Sequence, residues 1–144
     1  MTRFSDLLEK EHELISYESI QELLSNGMSL RIIVHGSANA TDLLIYPQSS
    51  VTRYQIDFPS YASYSVTFED FTTWNDTESY TGHSFRTYSK SDYFEYLQKT
   101  GHLPREYRGK PCKHYGLSCI EHLVHILSYE EPKITVGQVG AKQT

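Results

Sequence analysis

Between Val51 and Phe68 the chain alternates apolar and polar positions with a period of two. Tyr54, Ile56 and Phe58 fall between Arg53, Gln55 and Asp57, and beyond a Pro59-Ser60 break Tyr64, Val66 and Phe68 fall between Ser65, Thr67 and Glu69. A period of two puts alternate side chains on one face of a strand. The stretch therefore predicts two half-buried strands and a turn, each strand with an aromatic and β-branched dry face and a polar wet one. The dry face needs a cover.

Helical spacing at both ends of the chain predicts that cover. Leu7, Leu8, Leu14 and Ile15, with Glu and Lys between them, predict an amphipathic helix over 5–15. A second follows over 16–27, with Ser16 as cap, Ile20, Leu23 and Leu24 as its stripe, and Asn26-Gly27 to end it. At the other end, residues 117–129 divide on a helical wheel into an apolar half (Leu117, Cys119, Ile120, Leu123, Val124, Ile126, Leu127) and a polar half that includes Glu121, His122 and His125. Between these lie predicted strands at 30–34, apolar on both faces, at 42–46 up to Pro47, at 84–88 and at 133–136. Ser89 to Asp92 signals the start of a further helix, anchored by Phe94 and Leu97 and stopped at Thr100-Gly101. The order of elements predicts an α+β fold: a single domain over 1–144, with an antiparallel β-meander sheet covered by N- and C-terminal helices and a loose tail at 137–144.

At 144 residues the chain is long enough to bury a core without disulfides or metals. No apolar run is long enough to span a bilayer, and the first residues lack a signal-peptide pattern, so a cytoplasmic location is expected, with Cys112 and Cys119 reduced. A net charge of −5 argues against nucleic-acid binding, which needs cations on phosphates. The charge is unevenly placed. Glu9, Glu11, Glu13, Glu18 and Glu22 form one acidic zone, Glu69, Asp70, Asp76 and Glu78 another, while Arg105, Arg108, Lys110 and Lys113 make the segment after residue 100 basic. Tyrosine is abundant, with 12 residues, and suits half-exposed sheet positions and binding surfaces alike.

Cys112, His114, Cys119, His122 and His125 are ligand types that zinc prefers. The wheel puts Cys119 with the apolar half and His122 and His125 with the polar one, so one ion does not readily take both kinds, and no metal or other cofactor is expected. The same polar half, with Glu121, His122 and His125 beside the basic connection, suggests a general base near cations, yet no catalytic motif fixes a reaction. The connection over 102–114, through Arg105, Tyr107, Arg108, Lys110 and Lys113, suggests an alternative role as a nucleotide- or phosphate-binding protein or a small enzyme.

The acidic and aromatic stretch from Phe68 to Tyr80 carries the leading expectation. Tyr61, Tyr64, Asp70, Trp74, Asp76, Glu78 and Tyr80 combine rings that give desolvated contacts with carboxylates that speed encounter and fix register. That chemistry suits a basic protein partner. The chain is accordingly expected to be a small protein-binding module rather than an enzyme: a neutralising partner such as an immunity protein, an antitoxin or an inhibitor of a basic toxin or effector.

Overall fold

The computed structural model of the chain describes residues 2–23, 29–44, 51–71 and 77–138. In chain order its elements are helix α1 (Phe4–Leu7), strands β1 (Leu14–Leu23) and β2 (Ser29–Ser37), helix α2 (Ala40–Leu44), strands β3 (Thr52–Phe58) and β4 (Tyr61–Phe68), and a 3-10 turn (Glu69–Phe71). Strands β5 (Ser79–Gly82) and β6 (Phe85–Lys90) and helix α3 (Asp92–Gly101) follow. The two-residue strands β7 (Glu106–Tyr107) and β8 (Lys110–Pro111) come next, then β9 (Lys113–Ser118), β10 (His122–Ser128) and β11 (Lys133–Gln138). The fold is mostly antiparallel sheet with three short helices. A four-stranded sheet has the order β1-β2-β3-β11, and a five-stranded sheet has the order β4-β10-β9-β6-β5.

The strand alternation decides what is dry. Leu30, Ile32 and Val34 of β2, Tyr54, Ile56 and Phe58 of β3, and Ile134 of β11 share one core with Phe85 of β6, Tyr115 and Leu117 of β9, and Val124 and Ile126 of β10. The dry face of each sheet is thus covered by the other sheet. Edge-to-face aromatic pairs cross the interface, with ring centres 5.2 Å apart for Tyr54 and Phe85 and 5.3 Å for Phe58 and Tyr115. Phe4 and Leu7 of α1 close the layer, Phe4 packing edge-on against Phe85 and Tyr115.

Several expectations need correction. The strands on either side of Pro59-Ser60 exist; β3 has the faces read from its alternation, while in β4 Tyr64 and Val66 pack on the core and Phe68, expected on the same dry face, is exposed, and the two strands do not pair with each other. β3 belongs to the four-stranded sheet and β4 to the other, and the break carries the chain across. The β10-to-β11 passage crosses beside it, tied by the Tyr129 N–H donating to the Ser60 carbonyl at 3.0 Å. Of the two expected N-terminal helices, the single turn of α1 remains and residues 14–23 form a strand; Leu24 and Asn26-Gly27, the expected end of the second, lie outside the described residues. A bulge at Glu18 explains the misreading. It shifts register between Tyr17, opposite Val34, and Ser19, opposite Ile33, so that Tyr17 and Ile20, three residues apart as on a helix, both turn inward.

The helix expected over 117–129 is the end of β9, a turn and β10. β10 is flanked by β4 and β9, and both of its faces carry apolar residues. Val124 and Ile126 lie in the shared core, while Leu127 is fully buried on the opposite face. A short apolar run of this kind has no period that separates strand from helix. Residues 40–44 are helical rather than a strand, and residues 45–46 lie outside the described residues. β11 continues to Gln138, so the first two residues of the expected tail are strand, and 139–144 lie outside the described residues. Among the described residues no helix is long and apolar enough to cross a membrane.

Candidate functional site

At one end of the sandwich a cleft of about 650 Å³ opens between the segment leading into β1 and the rim of the five-stranded sheet. Glu11, Glu13 and Leu14 line one side. The β5–β6 turn (Gly82, His83, Ser84), the β9–β10 turn (Cys119, Ile120) and Glu69 line the other. The walls are pinned together. Ser84 Oγ donates to the Glu13 carbonyl at 2.6 Å, and the Ile120 N–H donates to the Ile15 carbonyl at 2.9 Å. Gly82 has φ of 108°, and a Cβ there would lie 2.1 Å from the Phe85 carbonyl oxygen, so this turn requires glycine.

Two acidic zones that are far apart in sequence meet around this cleft: Glu11 and Glu13 from the first, Glu69 with its neighbour Asp70 from the second. Glu13 accepts a hydrogen bond from the Tyr54 hydroxyl, whose ionisation burial pushes well above the usual tyrosine range. Leu14, Phe68 and Tyr80 are exposed to 40%, 43% and 48% around the opening. Phe68 packs edge-on against His122, which lines the cleft and also meets the Tyr17 ring at 4.9 Å. The Arg86 guanidinium lies 4.2 Å from the centre of the Tyr80 ring, and its Nε donates to the His83 carbonyl at 2.7 Å. It is therefore occupied within the wall.

The expected partner-binding residues are distributed as follows. Tyr80 lines the cleft and Asp70 stands in the 3-10 turn beside Glu69. Glu78 instead accepts the Asp92 N–H at 2.8 Å and helps hold the start of α3. Tyr61 and Tyr64 pack against the core and donate to the two carboxylate oxygens of Glu22 in β1, at 2.6 and 3.0 Å. They bridge the two sheets. The hydrogen bond to Glu22 pushes the Tyr61 hydroxyl up to about 12, and the two hydroxyls hold the Glu22 carboxyl below its usual range. Trp74 and Asp76 lie outside the described residues.

The outer face of the five-stranded sheet carries a second constellation. His114 of β9 and His125 of β10 are diagonal neighbours there, since His114 faces Leu127 and His125 faces Gly116. His114 Nε2 lies 2.8 Å from His125 Nδ1, and His114 Nδ1 lies 2.7 Å from Ser91 Oγ. Ser91 is also the N-cap of α3, accepting the Phe94 N–H at 2.9 Å. Tyr88, directly opposite His114, stacks on it with ring centres 3.9 Å apart, and Tyr93 of α3 tilts over both imidazoles while its hydroxyl meets Ser63 of β4 at 2.7 Å. Burial lowers His114 to about 3, helped by His125, and His125 to about 4, helped by Arg86, so both rings are neutral at pH 7. The chain is satisfied in either direction: Ser91 donates to His114 and His114 to His125, or the reverse. Its evident work is to fasten α3 to the sheet.

In a strand, residues three apart point to opposite faces, which separates His122 from His125; the shared face with Glu121 that a helix would have provided does not exist. Among the described residues no group of three or more His, Cys, Asp or Glu is placed to hold a metal ion. Both cysteines are free thiols, Cys119 buried and Cys112 half-buried.

The basic connection divides in two. Tyr107, Arg108 and Lys110 belong to the β7–β8 ribbon, which folds over Tyr129 and Glu130; Lys110 Nζ meets the Glu130 carboxylate at 2.6 Å and Arg108 lies over the Tyr107 ring. Arg105 and Lys113 turn instead to a separate cleft beside α3. Sequence reasoning grouped these five, and it missed Tyr88, Ser91 and Tyr93 around the histidines. The available signal was Ser91 as a helix cap, which places its hydroxyl at the root of α3 but does not say what α3 rests on.

Compared with protein-family models, with curated proteins and with solved structures, the chain matches none.

Proposed function

We propose that the chain is a small cytoplasmic protein-binding module that receives a basic segment of its partner in the cleft between Glu11 and Glu69. The observation that carries this reading is the convergence of carboxylates from two distant stretches with the exposed Leu14, Phe68 and Tyr80 around one opening. Carboxylates accelerate encounter with a basic surface and fix its register, while exposed aromatic and aliphatic side chains supply the contacts that slow dissociation. The walls are held by backbone and side-chain hydrogen bonds before any partner arrives, which reduces the ordering cost of binding. A neutralising role, as an immunity protein, antitoxin or inhibitor of a basic toxin or effector, fits this chemistry.

The test is affinity capture from cells that make the protein, at low and moderate salt, comparing the wild-type chain with a Glu11→Lys/Glu69→Lys variant. One basic partner that is retained by the wild type, released as salt rises and lost from the variant supports the reading. Equal retention by the variant removes the cleft from it.

A further inference from the structure

We propose that the cleft between α3 and β9, floored by Ser91 and His114 and rimmed by Lys90, Arg105 and Lys113, binds a small phosphomonoester. This site is separate from the acidic cleft and does not depend on a protein partner occupying it. It measures about 290 Å³, a size that suits a phosphorylated sugar or a mononucleotide and excludes a folded partner.

Charge is the first argument. Lys90, Arg105 and Lys113 come from three different elements or connections, and no ion pair neutralises any of them among the described residues. The one carboxylate in the lining is Glu95. Nearby acids are committed elsewhere: Glu131 to Arg3 at 2.8 Å, Glu130 to Lys110, and Glu78 to the Asp92 N–H. Three cations against one carboxylate, in a chain of net charge −5, leave a local excess of two positive charges, which matches a phosphomonoester of about −1.5 to −2 at pH 7.

The floor supplies the second argument. His114 and the Cys112 thiol are both uncharged at pH 7, so the base of the cleft is polar yet neutral, and the rim cations act across a weakly screening surface. The Gln98 amide provides a neutral hydrogen-bonding group, the Ser91 hydroxyl donates to a ligand oxygen when His114 Nδ1–H donates to Ser91, and Phe94 with Tyr88 offers an apolar wall for the organic part of the ligand. Arg105, with its planar fork, suits two phosphoryl oxygens at once, and the lysines act as point charges.

The experiment is an NMR titration of the full chain with AMP, glucose 6-phosphate, inorganic phosphate and citrate as separate probes, at low salt. The expected result is saturable binding of at least one of the two monoesters at submillimolar dissociation constant, with shifts centred on Ser91, Arg105 and Lys113. Affinity should weaken about tenfold in Arg105→Gln and in Lys113→Gln, and by less than about twofold in Lys110→Gln, which lies in the neighbouring ribbon. It should also fall below about pH 6, as the monoester dianion takes up a proton and becomes a monoanion. No saturable binding of either monoester up to about 10 mM, or binding unchanged in Arg105→Gln, overturns the proposal. Inorganic phosphate or citrate binding as tightly as both monoesters overturns the assignment to a monoester.

Discussion

His114 Nε2 and His125 Nδ1 stand 2.8 Å apart beneath Tyr88 and Tyr93, and neither ring is charged at neutral pH. The Arg86 cation acts on His125 and opposes its protonation further. Folding keeps these rings neutral down to about 3 and about 4, whereas in the unfolded chain each takes up a proton near 6.5. Between those limits the unfolded state binds more protons, so stability falls as pH falls. Urea unfolding should show a loss of about 5 kcal/mol between pH 7 and about pH 4.5, shared nearly equally by the two rings. His125→Gln should remove about half of that dependence; a pH profile identical to wild type would show that the pair does not titrate as described.

Gly116 lies beside this pair, and a Cβ there would come within 2.7 Å of the Tyr88 ring. Gly116→Ala should push Tyr88 off His114 and cost about 1 to 3 kcal/mol, the usual penalty for overpacking. Two readouts check it. Denaturation gives the stability, and imidazole NMR should show His114 titrating closer to 6.5 once its cover is displaced; unchanged values in both would contradict the tight stack.

Phe85 is fully buried and joins the two sheets through Tyr54 and the first helix through Phe4. Phe85→Ala should destabilise the chain by about 3 to 5 kcal/mol in urea unfolding. Tyr96→Ala, at an exposed position of α3, should stay within about 0.5 kcal/mol of wild type.

The acidic cleft makes a kinetic prediction for the captured partner. Glu11→Lys with Glu69→Lys should slow association about tenfold at low salt, with the difference shrinking as salt rises. Tyr80→Ala should mainly speed dissociation, because its ring supplies contact area and no charge. Surface-plasmon-resonance rates at two ionic strengths separate these effects.

The sequence was most legible where one strand face is wet. Tyr54, Ile56 and Phe58 alternate with Arg53, Gln55 and Asp57, and those inward residues are the buried ones. Ser91 likewise announces α3 because a cap is a local device. β10 was illegible as a strand for the opposite reason: Leu127 is buried on one face and Val124 and Ile126 on the other, which leaves no alternation to read. In β1 one bulged residue, Glu18, replaced the period of two with helix-like spacing. The candidate clefts were harder still, since they are made by contacts between distant segments. Nothing local in Glu11 or Glu69 says that they flank one opening, and nothing local in Lys90 says that it shares a cleft with Arg105.

The most direct test of the acidic cleft as a partner site is photo-cross-linking from position 80, with benzoylphenylalanine in place of Tyr80, in cells that make the protein. Lys133, on β11 of the other sheet, serves as the control position. The account predicts one adduct with a basic protein from position 80, none from position 133, and loss of the adduct in the Glu11→Lys/Glu69→Lys background. No adduct from position 80, an equal yield from position 133, or an adduct that survives the charge reversal would contradict it.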